Sequence, residues 1–116
     1  MRAARAAQNA ATLGVARLEV VQTHAPNGLA AQPLPDAVFI GGGLSDALLA
    51  SLWDMLPHGV RVVANAVTLE SEALLAAWHA RAGGSLTRLD FAQATLLGAR
   101  RGWRAAYPIV QWRGVR

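Results

Sequence analysis

The chain has 116 residues, of which 53% are apolar and 16% charged, and it contains no cysteine. A chain of this length makes one small domain that buries roughly two-thirds of the surface its unfolded form exposes, and this apolar share excludes disorder. Without cysteine there is no disulfide framework, no iron–sulfur cluster and no thiol nucleophile.

The net charge of +4 comes from 11 Arg and no Lys against seven acids, and Arg100, Arg101, Arg104, Arg113 and Arg116 fall in the last 17 residues. This implies an anionic partner, since a guanidinium binds carboxylate or phosphate as a two-pronged donor. Alanine accounts for 25 residues, which suits close helix–sheet contact. Each of the four tryptophans needs a packing site and a partner for its indole N–H. No apolar run approaches the roughly 18–20 residues of a membrane helix. The expectation is a soluble, cytoplasmic protein with no membrane partner.

Met1–Ala16 is rich in Arg and Ala and lacks acids, which superficially matches a transit peptide. It has no apolar core and runs on into a strand-like stretch, so it reads as a start in mid-helix. Residues 2–13 are good helix formers up to Gly14, with Ala7, Ala10, Ala11 and Leu13 able to share a face, but no N-cap precedes them. Leu18–Gln22 predicts a short strand, followed by the turn residues of His24–Gly28 and a proline-bearing connection over Ala30–Pro35.

Asp36–Ile40 predicts a buried strand, broken by Gly41-Gly42-Gly43. Ser45-Asp46 then opens a helix with Leu48, Leu49, Leu52, Trp53, Met55 and Leu56 on one side, ended by Pro57-His58-Gly59. Val60–Val67 repeats the strand. Thr68 caps a second helix, with Glu70 and Glu72 in its first turn, and Gly83-Gly84 ends it. Two such units indicate parallel strands in an α/β sheet. Leu86–Leu97 and Arg104–Trp112 both have strand character, and the short Gly98–Trp103 between them predicts an antiparallel hairpin.

In open α/β sheets ligands bind beyond the carboxyl ends of the strands. The functional edge therefore comprises His24–Gly28, Gly41–Asp46 and Asn65–Glu70. The Gly41–Gly43 triplet does not match GxGxxG; it offers either bare backbone for a ligand or simply a tight strand-to-helix turn. Asn65 and Thr68 could orient a ligand, or satisfy loop backbone and cap a helix; Glu70 could serve as acid or base, or complement the helix dipole. His24, His58 and His79 have no metal-ligand spacing, so no metal site is expected. Ser45 lacks a GxSxG setting, and its capping role accounts for it. All four tryptophans read as structural, Trp53 and Trp78 on helix faces, Trp103 and Trp112 in the hairpin. The terminal arginines are not interleaved with aromatics as in RNA-binding motifs, so nucleic acid is not expected as a partner.

The order of elements resembles the second half of a class I S-adenosylmethionine-dependent methyltransferase, a Rossmann-like α/β fold whose sheet ends in a reversed strand. Pro35-Asp-Ala-Val-Phe-Ile-Gly-Gly-Gly43, Val63-Ala-Asn-Ala-Val-Thr-Leu-Glu70 and Pro108-Ile-Val-Gln-Trp112 together resemble the C-terminal domain of the precorrin-6Y C5,15-methyltransferase (decarboxylating) family, along nearly the whole chain. The resemblance implies S-adenosylmethionine as cofactor and a precorrin tetrapyrrole with many carboxylates as substrate. It also implies methylation at C15, with loss of carbon dioxide from the C12 acetate, in cobalamin biosynthesis. On it, Ala25, Pro26, Gly41, Gly42 and Gly43 would contact the cofactor, and Asn65, Thr68 and Glu70 would face the reacting centre.

The resemblance departs at the front. The strand, glycine-rich loop, helix and acid-ended second strand that open this fold are absent, so the chain reads as a single partial domain with its first two strands missing. Alone it is then expected to bind the cofactor weakly and to be unstable, to pair differently or to oligomerise through exposed edges. Two other functions compete: a non-catalytic α/β binding or assembly module that has lost the cofactor loop, and an RNA-binding fragment that uses its arginines.

Overall fold

The computed structural model describes residues 2–15, 17–21, 28 and 32–116. The chain forms two compact units, residues 1–32 and 33–116. In the first, α1 (Arg2–Thr12) is built from alanine, arginine and glutamine and stops at Gly14, whose φ of 70° releases the chain from the helix. Of the four residues able to share a face, Ala10 is buried, whereas Leu13 is 76% exposed.

The strand predicted over Leu18–Gln22 is not formed at Leu18–Val21, and Gln22 lies outside the described residues. Strand propensity without a ladder partner leaves backbone donors and acceptors to water. None of the described strands pairs with this segment.

The second unit holds β1 (Ala37–Ile40), α2 (Asp46–Met55), β2 (Arg61–Ala66), α3 (Leu69–Ala82), β3 (Ser85–Leu89), β4 (Ala92–Leu97), β5 (Arg100–Ala105) and β6 (Ile109–Val115). Four strands form a mixed sheet in the order β1-β2-β6-β3, while β4 and β5 form a separate two-stranded ribbon. β1 and β2 are parallel, and β6 runs against both β2 and β3. The carboxyl ends of β1, β2 and β3 therefore lie along the same edge.

Both helices of this unit start at a capping side chain. Ser45 Oγ accepts the Leu48 N–H at 3.1 Å and Thr68 Oγ1 accepts the Ser71 N–H at 3.1 Å. The helices bury Leu48, Leu49, Leu52, Leu75 and Trp78. Along β2 the burial alternates, with Val62, Ala64 and Ala66 inside. Ala64 stands opposite Trp112 of β6 in register, so a small residue admits a large one that is fully buried. Trp53, from α2, meets Trp78 edge-on at 5.6 Å and Trp112 at 5.8 Å. The Trp112 indole N–H donates to the Gly83 carbonyl at 2.8 Å. That of Trp78 is buried without a partner among the described residues, contrary to the expectation that every indole finds one.

The other face of the sheet carries Phe39, Arg61, Val63, Asn65, Gln111, Arg113 and Val115, and Phe39 and Val115 are mostly exposed.

The predicted hairpin is longer than expected and divided. Leu89 pairs with Ile109 in the main sheet, Ala106 N–H bonds the Phe91 carbonyl at 3.0 Å, and the ladder resumes from Ala92–Ala105 to Leu97–Arg100. Gly98–Trp103 is not the connection; only Gly98 and Ala99 turn the chain. Gly98 has a φ of 63° and Ala99, like every described non-glycine residue, has no positive φ, the pattern of a II′ turn with glycine first.

Candidate functional site at the carboxyl edge of the sheet

The functional edge begins where β1 gives way to Gly41-Gly42-Gly43. A Cβ at Gly42 or Gly43 would meet no heavy atom of the described residues within 4 Å, so among them the backbone here is open to a close approach. A Cβ at Gly41 would touch the Phe39 ring at 3.1 Å.

Ile40 and Ala64 are the last paired positions of β1 and β2. Gly41 leaves β1 just past this pair, while β2 runs on through Asn65 and Ala66 against β6. Asn65 also faces Gln111 of β6 in register, and the Gln111 amide donates to Asn65 Oδ1 at 2.9 Å. With the carbonyl of the half-buried Asn65 engaged by Gln111, its N–H₂ group has no hydrogen-bond partner among the described residues and keeps both donors for a ligand. Gln111 escapes a reading of the sequence. Its only local signal is a polar residue inside the apolar run Ile109-Val110-Gln111-Trp112.

Thr68 and Glu70 follow at the start of α3. The Thr68 hydroxyl oxygen is engaged as the cap and its proton stays available, while the Glu70 side chain is exposed in the first turn, where it complements the helix dipole. The structure thus gathers Gly41, Gly42, Gly43, Asn65, Thr68 and Glu70 along one edge. Ala25, Pro26 and His24 lie outside the described residues. His58 sits in the exposed turn after α2 and His79 on α3, both apart from this edge. Among the described residues no three His, Asp or Glu side chains are grouped to hold a metal ion, and no helix is long and apolar enough to cross a membrane.

The five terminal arginines do not form one patch. Arg116 donates to the Trp53 carbonyl and lies 5.3 Å from the Trp53 ring, and Arg113 lines a groove of about 620 Å³ with Arg61 and Gly114, toward the opposite end of β2. Arg100, Arg101 and Arg104 stand on the β4–β5 ribbon, which rises beyond the carboxyl end of β3. At its root Arg88 pairs with Asp90 at 3.1 Å, and this hydrogen bond, with the carboxylate's charge, holds the guanidinium above its ordinary range. Trp103 is 79% exposed on the ribbon, so it is not the structural residue that the sequence suggests.

The chain is 50% identical over 112 residues to a precorrin-6Y C(5,15)-methyltransferase [decarboxylating] of Sinorhizobium sp, and 42% identical over 105 residues to that of Mycobacterium tuberculosis. It spans about a quarter of their lengths, 27% and 26%. Among solved structures it is similar to the C-terminal domain of precorrin-6Y C5,15-methyltransferase from Rhodobacter capsulatus, with a TM-score of 0.90 and 56% identity, covering 94% of this chain and 60% of that one. It is also similar to a precorrin-6Y C5,15-methyltransferase domain from Corynebacterium diphtheriae, with a TM-score of 0.91 and 38% identity, covering 99% and 69%. The β1-β2-β6-β3 sheet with its reversed β6 is accordingly part of a Rossmann-like methyltransferase sheet. The profile of the precorrin methyltransferase domain matches residues 1–116, and the chain belongs to that family.

Proposed function

We propose that this chain forms the substrate-side portion of a methyltransferase that methylates C15 of precorrin-6Y and removes carbon dioxide from its C12 acetate, with S-adenosylmethionine as methyl donor. What carries the reading is that the segments that resemble the precorrin-6Y enzymes, Gly41–Gly43 and Asn65–Glu70, lie along one carboxyl edge of the sheet, in a chain half identical to the Sinorhizobium enzyme.

S-adenosylmethionine supplies a methyl group activated by its sulfonium. The described residues offer it one wall. The backbone of Gly42 and Gly43 leaves room for close approach, but β1 and β2 end in Ile40 and Ala66, with no strand-end carboxylate for the ribose hydroxyls. Calorimetric titration of the isolated chain is therefore expected to give weak or undetectable binding of S-adenosylmethionine, and tight binding would contradict this account of the wall.

The chain's own contribution is positioning. Methyl transfer needs an in-line approach in an enclosed site, and holding reactants in line can supply much of the barrier lowering. Asn65 would donate its free N–H₂ to an acceptor on the tetrapyrrole, with Thr68 and Glu70 beside it at the head of α3. Gln111 acts through Asn65 by fixing the amide's orientation.

The test is a chimera in which this chain replaces the matching segment of the Sinorhizobium enzyme. It should retain C15 methylation and carbon dioxide release, and a folded but inactive chimera would count against the proposed function. In an active chimera, Asn65→Ala should lower kcat/KM about 100-fold, the scale of a misplaced reactant. Gln111→Leu should lower kcat about tenfold with little change in KM, while Gln111→Asn should restore part of the loss. Equal, small effects of both substitutions at 111 would remove Gln111 from the positioning role.

A further inference from the structure

β1 is apolar on both of its sides. Val38 and Ile40 share a face with Val62 and Ala64, under the helices, whereas Ala37 and Phe39 point the other way. A strand of this pattern suits a sheet covered on both faces. Among the described residues the second unit has helices on one face only, and on the open face Phe39 is 65% exposed and Val115 60%. The four strands span about 15 Å at their usual spacing, room for one or two helices each about 10 Å wide.

Charge narrows the choice of cover. Arg61 and Arg113 stand on the open face in neighbouring rows, Arg61 opposite Val115, and Arg113 opposite Val63 and Ser85. Together these five residues line the groove of about 620 Å³. Neither arginine has an ion-pair partner among the described residues, and no paired position on this face is an acid. Like charges in adjacent rows repel, and arginine beside exposed apolar side chains is typical of a surface that becomes buried against a partner. A second copy of this face would set the same two arginines against themselves. Residues 1–35 hold a single acid, Glu19, which lies in no helix, and α1 holds none, so the earlier part of this chain cannot supply a helix with matching carboxylates. The solved relatives do extend further: the chain covers 60% of the Rhodobacter capsulatus domain and 69% of the Corynebacterium diphtheriae one.

From these observations we infer that the open face is a docking surface for an amphipathic helix from the part of the domain outside this chain, which lays apolar side chains on Phe39, Val63 and Val115 and presents carboxylates to Arg61 and Arg113. The two arginines then choose the covering helix by its charge and take no part in the Asn65 site.

The test sets the isolated 116-residue chain beside a chimera, the Rhodobacter capsulatus C-terminal domain with this chain in place of its matching segment. In the chimera Arg61→Gln/Arg113→Gln should lower Tm by about 2–4 °C, and Arg61→Glu/Arg113→Glu by more, since carboxylates would then face carboxylates. Added salt should narrow the gap between the Arg and Gln forms. In the isolated chain neither pair of substitutions should move Tm. Labelling of arginine by phenylglyoxal, read by mass spectrometry, needs no melt: Arg61 and Arg113 should be modified in the isolated chain and protected in the chimera, with Arg81 of α3 modified in both. Glu forms as stable as the Gln forms, or Arg61 and Arg113 labelled alike in both proteins, overturn the inference. A chimera that fails to fold also overturns it, since the face would then not accept the helix. Citrate binding by the chimera that the Gln pair abolishes would assign the arginines to a small anion, and a chimera dimer that Phe39→Ser dissociates would assign the face to a second copy; either result overturns the helix. Stability and labelling are read without turnover, so the outcome is independent of the methyltransferase reading.

Discussion

Trp112→Ala is expected to destabilise the second unit by about 3–5 kcal/mol, the range for truncating a large buried aromatic. This is a large share of the roughly 5–15 kcal/mol that holds a typical domain together. Trp112 is fully buried, packs against Ala64 and Trp53, and ties β6 to the end of α3 through the Gly83 carbonyl. Removing it empties the space between both helices and the sheet and leaves the Gly83 carbonyl without its indole donor. The measurement is urea unfolding followed by far-UV circular dichroism, and a loss below about 1 kcal/mol would show that the cluster is not the centre of the core. Trp112→Phe should lie between, since it retains ring packing and loses the hydrogen bond.

The same cluster ties the fold to the site. Gln111, next to Trp112 on β6, points to the opposite face and bonds Asn65, while Trp112 faces the helices. Alternation along one strand thus places a core anchor and a site residue back to back. Seating Trp112 fixes the register of β6, and that register sets Gln111 against Asn65. A variant that slips β6 by one residue would move both to the wrong face.

How legible these features are in the sequence depends on whether the signal is local. The strands β1 and β2 and the helices α2 and α3 carry their own punctuation in Gly41-Gly42-Gly43, Ser45, Pro57-His58-Gly59, Thr68 and Gly83-Gly84, and they form where the pattern puts them. Leu18–Val21 has strand-like residues and makes no strand, because a strand exists only with a neighbour and propensity cannot supply one. The break between β3 and β4 falls at Asp90-Phe91, which has neither Gly nor Pro to mark it. Only Pro108 on the returning limb hints that the ladder is interrupted. Trp103 and Trp112 sit in similar strand-like surroundings, yet one is 79% exposed and the other 0%. What separates them is which strand enters the four-stranded sheet, a long-range fact. The Asn65–Gln111 hydrogen bond spans 46 positions and is invisible for the same reason. The edge that carries the glycines, Asn65, Thr68 and Glu70 could be read, because strand ends follow from strand boundaries.

Gly84→Ala should cost about 3 kcal/mol or more, because two penalties add at this position. Its φ of 82° lies where a side chain is strained, and a Cβ there would run into the Arg113 carbonyl of β6 and come within 3.1 Å of the Trp112 indole nitrogen. The obstructing atoms are backbone and a buried ring, so neither can swing aside. Gly59 separates the two penalties: its φ is 94°, but a Cβ would meet nothing within 4 Å. Gly59→Ala should therefore cost only the backbone strain, about 1–2 kcal/mol. Equal losses for the two variants in parallel urea titrations would mean that the contact with β6 contributes nothing. The expected excess at Gly84 measures how closely the turn after α3 must pass β6 for β3 to enter the sheet at its far side.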